Sequence, residues 1–259
     1  MSDDLGLPLE SIASSSFAEL LNTRGLTPTW AVPPGSELKA PEGTTILAMR
    51  YADGVLMGGD RRATSGHLIS HRRMRKVYAA DRYSAVAISG TAGLAMELIR
   101  LLQTELEHYE KLEGTRLSLE GKANHLSSMV RNQLPLAMQG LVVVPLYCGF
   151  DETTQLGKLF SFDVVGGRYE EADYAASGSG GQEAKAYLKG VFDPEMDREA
   201  ATKAAVGALI AAADEDAATG GPDPRRGIYP NVVTVTTDGF NELAESDVAS
   251  AVADVLESL

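Results

Sequence analysis

The chain has 259 residues, 44% of them hydrophobic and 23% charged, with a formal net charge of −13. That length allows one large layered domain with a sizeable core, and no window approaches the roughly 18 uninterrupted apolar residues of a membrane-spanning helix. The acidic balance argues against nonspecific nucleic-acid binding, which needs a basic footprint on phosphate. The single cysteine, Cys148, excludes an internal disulfide, and its place in the apolar run LVVVPLYCGF predicts a buried strand.

Residues 1–43 differ in composition from the rest. SIASSSFAEL and the Pro- and Gly-rich TPTWAVPPGSELKAPEG read as a flexible leader, with a short amphipathic turn around Phe17, Leu20 and Leu21. The opening MSDDLGLPLE is acidic where a secretory signal would be basic, so the expected location is the cytoplasm. The composition changes at Thr44. TTILAMRYADGVLMGGD predicts two strands joined at Ala52-Asp53-Gly54, and KVYAADRYSAVAIS two more about Asp81-Arg82. Leu94, Leu98, Leu101, Leu102 and Leu106 then recur at helical spacing as one apolar stripe. A second helix is expected in LEGKANHLSSMVRNQL, ending near Pro135.

Further strands follow in LVVVPLYCGFD, QLGKLFSFDVV and GRYEEADYAAS, with Gly166-Gly167 the clearest turn. GGQEAKAYLKG reads as a helix. Another is expected to open with Asp193 as N-cap and Pro194 in first position and to run to about Asp216. VVTVTTDGFNEL is a hairpin, and Ser246 is placed to cap a last helix to Leu256. Strands and helices come in blocks, with no internal repeat, so the reading is α+β, antiparallel sheets covered by helices.

Several conventional sites fit poorly. His67 and His71 stand four apart but lack a nearby carboxylate or cysteine, which disfavours a metal. GSGGQEA looks like a phosphate turn without the Lys-Ser/Thr of a P-loop, and no serine sits in a G-x-S-x-G elbow. The basic run of Arg61, Arg62, Arg72, Arg73, Arg75 and Lys76 reads as a solvated or interface face.

The Gly43-Thr44 junction has a different chemistry. A threonine hydroxyl needs a base, and the α-amine of the same residue can serve once the preceding bond is cut. Asp60 closes the second strand, Lys76 opens the third and Gly90 follows the fourth. A lysine beside the nucleophile lowers the pKa of hydroxyl and amine, a carboxylate can orient that lysine, and a glycine N–H can bind an oxyanion. Taken singly, they also read as a turn residue, a surface charge and a helix-entry hinge.

The string TTILAMRYADGVLMGGDRRATSGHLISHRRMRKVY, followed by ISGTAG, GSGG and DEDAATGG, resembles the β subunits of 20S proteasomes, and the leader with ATGGPDP resembles their actinobacterial type. The resemblance runs from Thr44 to about Glu242. It implies the four-layer αββα sandwich of N-terminal-nucleophile hydrolases, with a propeptide over 1–43 removed by autocatalytic cleavage at Gly43-Thr44 and a mature domain over 44–259. It implies Thr44 as nucleophile, Lys76 as charge partner and Asp60 as the carboxylate holding the lysine. Ser179 and Asp216 would bond around the threonine amine. Thr219 stands where many relatives have serine, and Asp214 and Glu215 are expected to be solvated. Ala63, Met74, Ile88, Ala92 and Met96 would line an apolar pocket for the residue before the scissile bond.

The same resemblance implies no cofactor and no metal, but several partners: α subunits, sister β subunits in stacked seven-membered rings, an ATPase ring, and substrates tagged with a small disordered protein (pupylated). Two alternatives stay open. A non-catalytic ring subunit would keep its leader and would be expected to lack Thr44, Asp60 or Lys76. Another N-terminal-nucleophile amidase would turn over a small molecule rather than casein or peptides.

Overall fold

A computed structural model describes residues 44–65 and 68–258 of the chain. The expected leader, with Phe17, Leu20, Leu21 and Gly43, lies outside the described residues, as does His67.

Two five-stranded antiparallel sheets form the centre. The first has the order β10 (Tyr174–Gly178), β1 (Thr45–Tyr51), β2 (Gly54–Gly59), β11 (Asn231–Thr236) and β12 (Gly239–Glu242). The second runs β5 (Val77–Asp81), β6 (Ser84–Gly90), β7 (Val143–Asp151), β8 (Leu156–Phe162) and β9 (Arg168–Glu171). A separate hairpin pairs β3 (Ala63–Ser65) with β4 (Leu68–His71). The sequence pattern did not predict it, because its strands are short and its β4 residues are exposed.

The sheets face each other through Ile46, Ala48, Val55 and Met57 on one side and Val77, Ala87, Leu146, Cys148 and Leu159 on the other. The alternate β1 residues Leu47, Met49 and Tyr51 point the other way, toward α4 (Gly181–Val191), α5 (Arg198–Glu215) and α6 (Glu245–Ser258). Both faces of β1 are therefore buried, which is why it reads as a continuous apolar run. The outer face of the second sheet packs Val86, Ile88, Tyr147 and Phe160 against α1 (Ala92–Glu113) and α2 (Leu119–Asn132). The result is helix, sheet, sheet, helix: four layers, as expected.

Several local expectations change. The buried stripe of α1 is Ala95, Leu98, Ile99, Leu102 and Leu106, whereas Leu101 is 47% exposed. The α1 stripe thus follows one row of the helix and leaves Leu101 beside it. Helix α2 ends at Asn132, near Pro135 as expected, and Pro135 itself sits at the start of a separate short helix, α3 (Leu134–Ala137). The cap of α5 is Asp197, whose side chain accepts from the Ala200 amide at 2.8 Å. Asp193 instead accepts from the Glu195 amide in a preceding turn, so Pro194 is not the first helical residue. Ser246 lies inside α6 and bonds Asp247; the Ala244 carbonyl takes the Asp247 and Val248 amides. In both helices a better-placed group satisfies the first amides.

Helix α5 has apolar or small residues on nearly every side, with Ala201, Ala204, Ala205, Val206, Ala208, Leu209 and Ala212 all buried. Small side chains let it lie between β1, α4 and α6, and its far end delivers the 216–220 loop to the first sheet's edge.

Candidate active site

Thr44 directly precedes β1, and β10 runs antiparallel beside it with Thr45 opposite Gly178. The Ser179 amide donates to the Thr44 carbonyl at 3.0 Å. Gly178 has φ +97°, and a Cβ there would lie 1.7 Å from the Thr44 carbonyl oxygen, so only glycine lets β10 approach. The loop GSGG is thus built around Thr44 rather than around a phosphate.

Asp60 follows β2 and is fully buried. Its Oδ1 accepts from the Thr45 amide at 2.8 Å and from the Lys76 ammonium at 2.5 Å. Its Oδ2 accepts from the amides of Arg62 at 2.8 Å and Gly220 at 2.9 Å. Four donors leave the buried carboxylate with its hydrogen-bonding capacity filled. Lys76, 4% exposed, precedes β5, so its pair with Asp60 joins the end of a first-sheet strand to the start of a second-sheet strand. Burial pulls the Lys76 ammonium below the ordinary lysine range, against the opposing charge and hydrogen bond of Asp60.

Asp216 caps the C-terminal end of α5. Its Oδ2 accepts from the hydroxyls of Ser179 and Thr219, each at 2.5 Å, and its Oδ1 from the Ala218 amide at 3.0 Å. Burial pushes its pKa up, but these hydrogen bonds outweigh it and hold the carboxyl below its ordinary value. Asp214 and Glu215 are exposed, as expected.

Thr44, Lys76 and Gly90 share one small pocket, about 60 Å³, with all five residues expected to line it: Ala63, Met74, Ile88, Ala92 and Met96. Tyr78, Ala95 and Ile99 extend that lining and were not anticipated. Arg75 also touches the pocket, but its guanidinium is held by Glu242 at 2.7 Å. Gly90 has φ +109°, and a Cβ there would stand 2.1 Å from the Val142 carbonyl, so β6 can turn into α1 at this point only through glycine.

Sequence reasoning missed Thr45 and Arg62. Thr45 looks like any threonine opening a strand. Arg62 belongs to the basic run read as a solvated or interface face; its guanidinium donates to the Ala217 carbonyl at 2.8 Å, while Arg72 and Arg73 are exposed. At Gly220, in the pair after Thr219, a Cβ would lie 2.6 Å from Arg62 Cβ, so glycine lets the two segments approach. Among the described residues, no group of three or more His, Cys, Asp or Glu is arranged to hold a metal, and no helix is long and apolar enough to cross a membrane.

Two antiparallel sheets between helix layers, with a threonine at the mouth of the sandwich, define the class of N-terminal-nucleophile hydrolase folds. The family model described as proteasome subunit matches residues 40–223. The chain is 51% identical to a proteasome subunit beta of Stackebrandtia nassauensis over 93% of its length and 89% of that relative. It is 48% identical to a proteasome subunit beta of Streptomyces griseus subsp. griseus, over 94% of the chain and 88% of the relative. The chain belongs to the proteasome subunit family, and it is a β subunit of the actinobacterial type.

Proposed function

We propose that this chain is a catalytic β subunit, a threonine-type endopeptidase whose nucleophile is Thr44. The observation that carries the reading is that Lys76, buried and paired with Asp60, lines the same pocket as Thr44. A fully desolvated ammonium is costly to keep in a fold, and its usual compensation is a partner that needs its charge.

In the precursor, Thr44 Oγ attacks the Gly43 carbonyl; the Gly43–Thr44 amide bond gives way to an ester, which water hydrolyses. Residues 1–43 leave, and the amine of Thr44 is freed. That amine has a reference pKa of about 7.7 to 8.0, and the nearby Lys76 charge favours its neutral form. In each turnover it takes the Oγ proton, directly or through water, as Oγ attacks a substrate carbonyl. Gly90 N–H holds the oxyanion, the proton passes to the leaving amine, and an acyl ester forms. Water, deprotonated by the same amine, then releases the product. The apolar pocket selects an apolar residue before the scissile bond, and Met74 and Met96 supply the flexibility to admit a larger one.

The same reading places the subunit in heptameric β rings stacked between α rings, fed with tagged, unfolded protein by an ATPase ring in the cytoplasm. Its support is the identity to the two β subunits. The test is Thr44→Ala in assembled particles. Intact-mass measurement should find all 43 leader residues attached, and fluorogenic-peptide turnover should vanish. A trimmed, active Thr44→Ala particle would end the proposal, whereas an untrimmed, inactive wild type would favour a non-catalytic ring subunit.

A further inference from the structure

The second threonine of β1 contributes more than a strand position. Thr45 is fully buried, and its Oγ1 lies 2.6 Å from Thr219 Oγ1 and 3.1 Å from the Gly180 amide nitrogen. Thr219 Oγ1 in turn lies 2.5 Å from Asp216 Oδ2, which Ser179 Oγ also reaches. A Cβ at Gly180 would come within 2.6 Å of Thr45 Oγ1 and 3.0 Å of Thr219 Oγ1, so the three groups are in close register.

The proton directions along this chain follow from its ends. A backbone amide can only donate, and an ionised carboxylate can only accept. Gly180 N–H therefore donates to Thr45, Thr45 O–H to Thr219, and Thr219 O–H to Asp216. Ser179 also commits its proton to Asp216, which leaves its oxygen able only to accept, while its amide fixes the Thr44 carbonyl.

We propose that Thr45 is a positioning residue: its hydroxyl carries the orientation set by Gly180 through Thr219 to Asp216, so that Ser179 presents a lone pair, not a proton, to the α-amine of Thr44. This rests on the catalytic reading above. Packing alone would be met equally by valine, which has the same shape and no hydroxyl. Without the hydroxyl, the Gly180 amide loses its acceptor and Thr219 loses the donor that polarises it. The charged groups facing this chain are Asp216 from α5, Asp60 after β2, Arg62 from the adjoining segment, and Lys76 before β5. Asp216, less neutralised by Thr219, then holds the ammonium form of the amine more firmly, and the acid limb of activity moves to higher pH.

The experiment compares wild-type, Thr45→Val and Thr45→Ser particles assembled from full-length chains, using an apolar fluorogenic peptide. Thr45→Val should lower kcat about 10- to 100-fold with KM within about twofold, as expected for loss of a proton-transfer arrangement. Its acid limb should shift upward by about half a pH unit. Thr45→Ser should stay within about threefold of wild type, because it keeps the hydroxyl. Thr219→Val, which breaks the next link, should shift the limb in the same direction, and the double valine variant should be no worse than Thr219→Val alone. Thr45→Val with the wild-type kcat and pH profile, or Thr45→Ser as impaired as Thr45→Val, would overturn the proposal. If Thr45→Val does not assemble, an unshifted limb in Thr219→Val overturns it. Absent turnover by the wild type, or turnover by Thr44→Ala, removes the catalytic reading itself. An active wild type beside an unaffected Thr45→Val removes only the relay.

Discussion

Among the described residues, two lysine–aspartate pairs share a 2.5 Å length: Lys76–Asp60, buried at both ends, and Lys122–Asp81, where the lysine is buried and the carboxylate only partly so. In the second pair, Asp81 ends β5 and takes its other hydrogen bonds from the Tyr83 amide at 2.9 Å and the Ser84 hydroxyl at 2.6 Å, both within its own turn. Lys122 reaches it from α2, so that pair pins a helix onto a hairpin. Asp60, by contrast, gathers donors from Thr45, Lys76 and Gly220, three segments that meet only in the folded chain, besides its near neighbour Arg62. One pair docks an element; the other sets a charge beside a threonine. A buried lysine and a short distance are common to both, and the neighbouring groups separate them.

Substitution at each lysine should bring out that contrast. Lys76→Ala should show the largest effect: peptide turnover falls on the order of 10³-fold or more, and the leader stays attached, because Asp60 is left unpaired and the amine loses its charge partner. Peptidase assays and intact mass on assembled particles measure both. Lys122→Ala should destabilise the fold by about 1–3 kcal/mol, since it removes the ammonium from a partly buried carboxylate that keeps its Tyr83 and Ser84 hydrogen bonds. Those particles that assemble should nonetheless retain kcat within about twofold of wild type, as no group of the pocket is touched. Chemical denaturation and turnover read the two quantities, and a large kcat loss in Lys122→Ala would erase the distinction.

The smallest effect is expected from pH. Burial lowers the Lys76 pKa in the folded state, so between that lowered value and the ordinary 10.5 the unfolded chain binds the extra proton. The contribution of this group to stability therefore rises as pH climbs through that window. Activity moves the opposite way, because deprotonation removes the charge the amine depends on. Alkaline titration should find turnover falling before an ordinary lysine would titrate, with no matching loss of stability from this group. Parallel declines in both would mean that Lys76 acts only as a structural ion pair.

Much of the fold was legible because its signals are local. The strand pairs about Ala52-Asp53 and Asp81-Arg82 and the apolar period of α1 each depend on neighbours within a few residues. The caps were less so. Asp193-Pro194 has the composition of a helix start, but the chain makes a turn there and Asp197 satisfies the first amides of α5. Leu101 satisfies the helical period, yet the sheet covers only the row through Leu98, Leu102 and Leu106.

The residue types at Thr44, Asp60, Lys76, Ser179 and Asp216 are readable along the chain without any coordinates, and with them the resemblance that names the family. It took the packed fold to bring Arg62 to the Ala217 carbonyl, Gly220 to Asp60 and Thr45 to Thr219. The physical reason is separation along the chain. Thr45 and Thr219 stand 174 residues apart, and Asp60 and Gly220 160 apart. No periodicity or local propensity carries information over such distances; these hydrogen bonds exist because β1, β2 and the end of α5 are packed against one another.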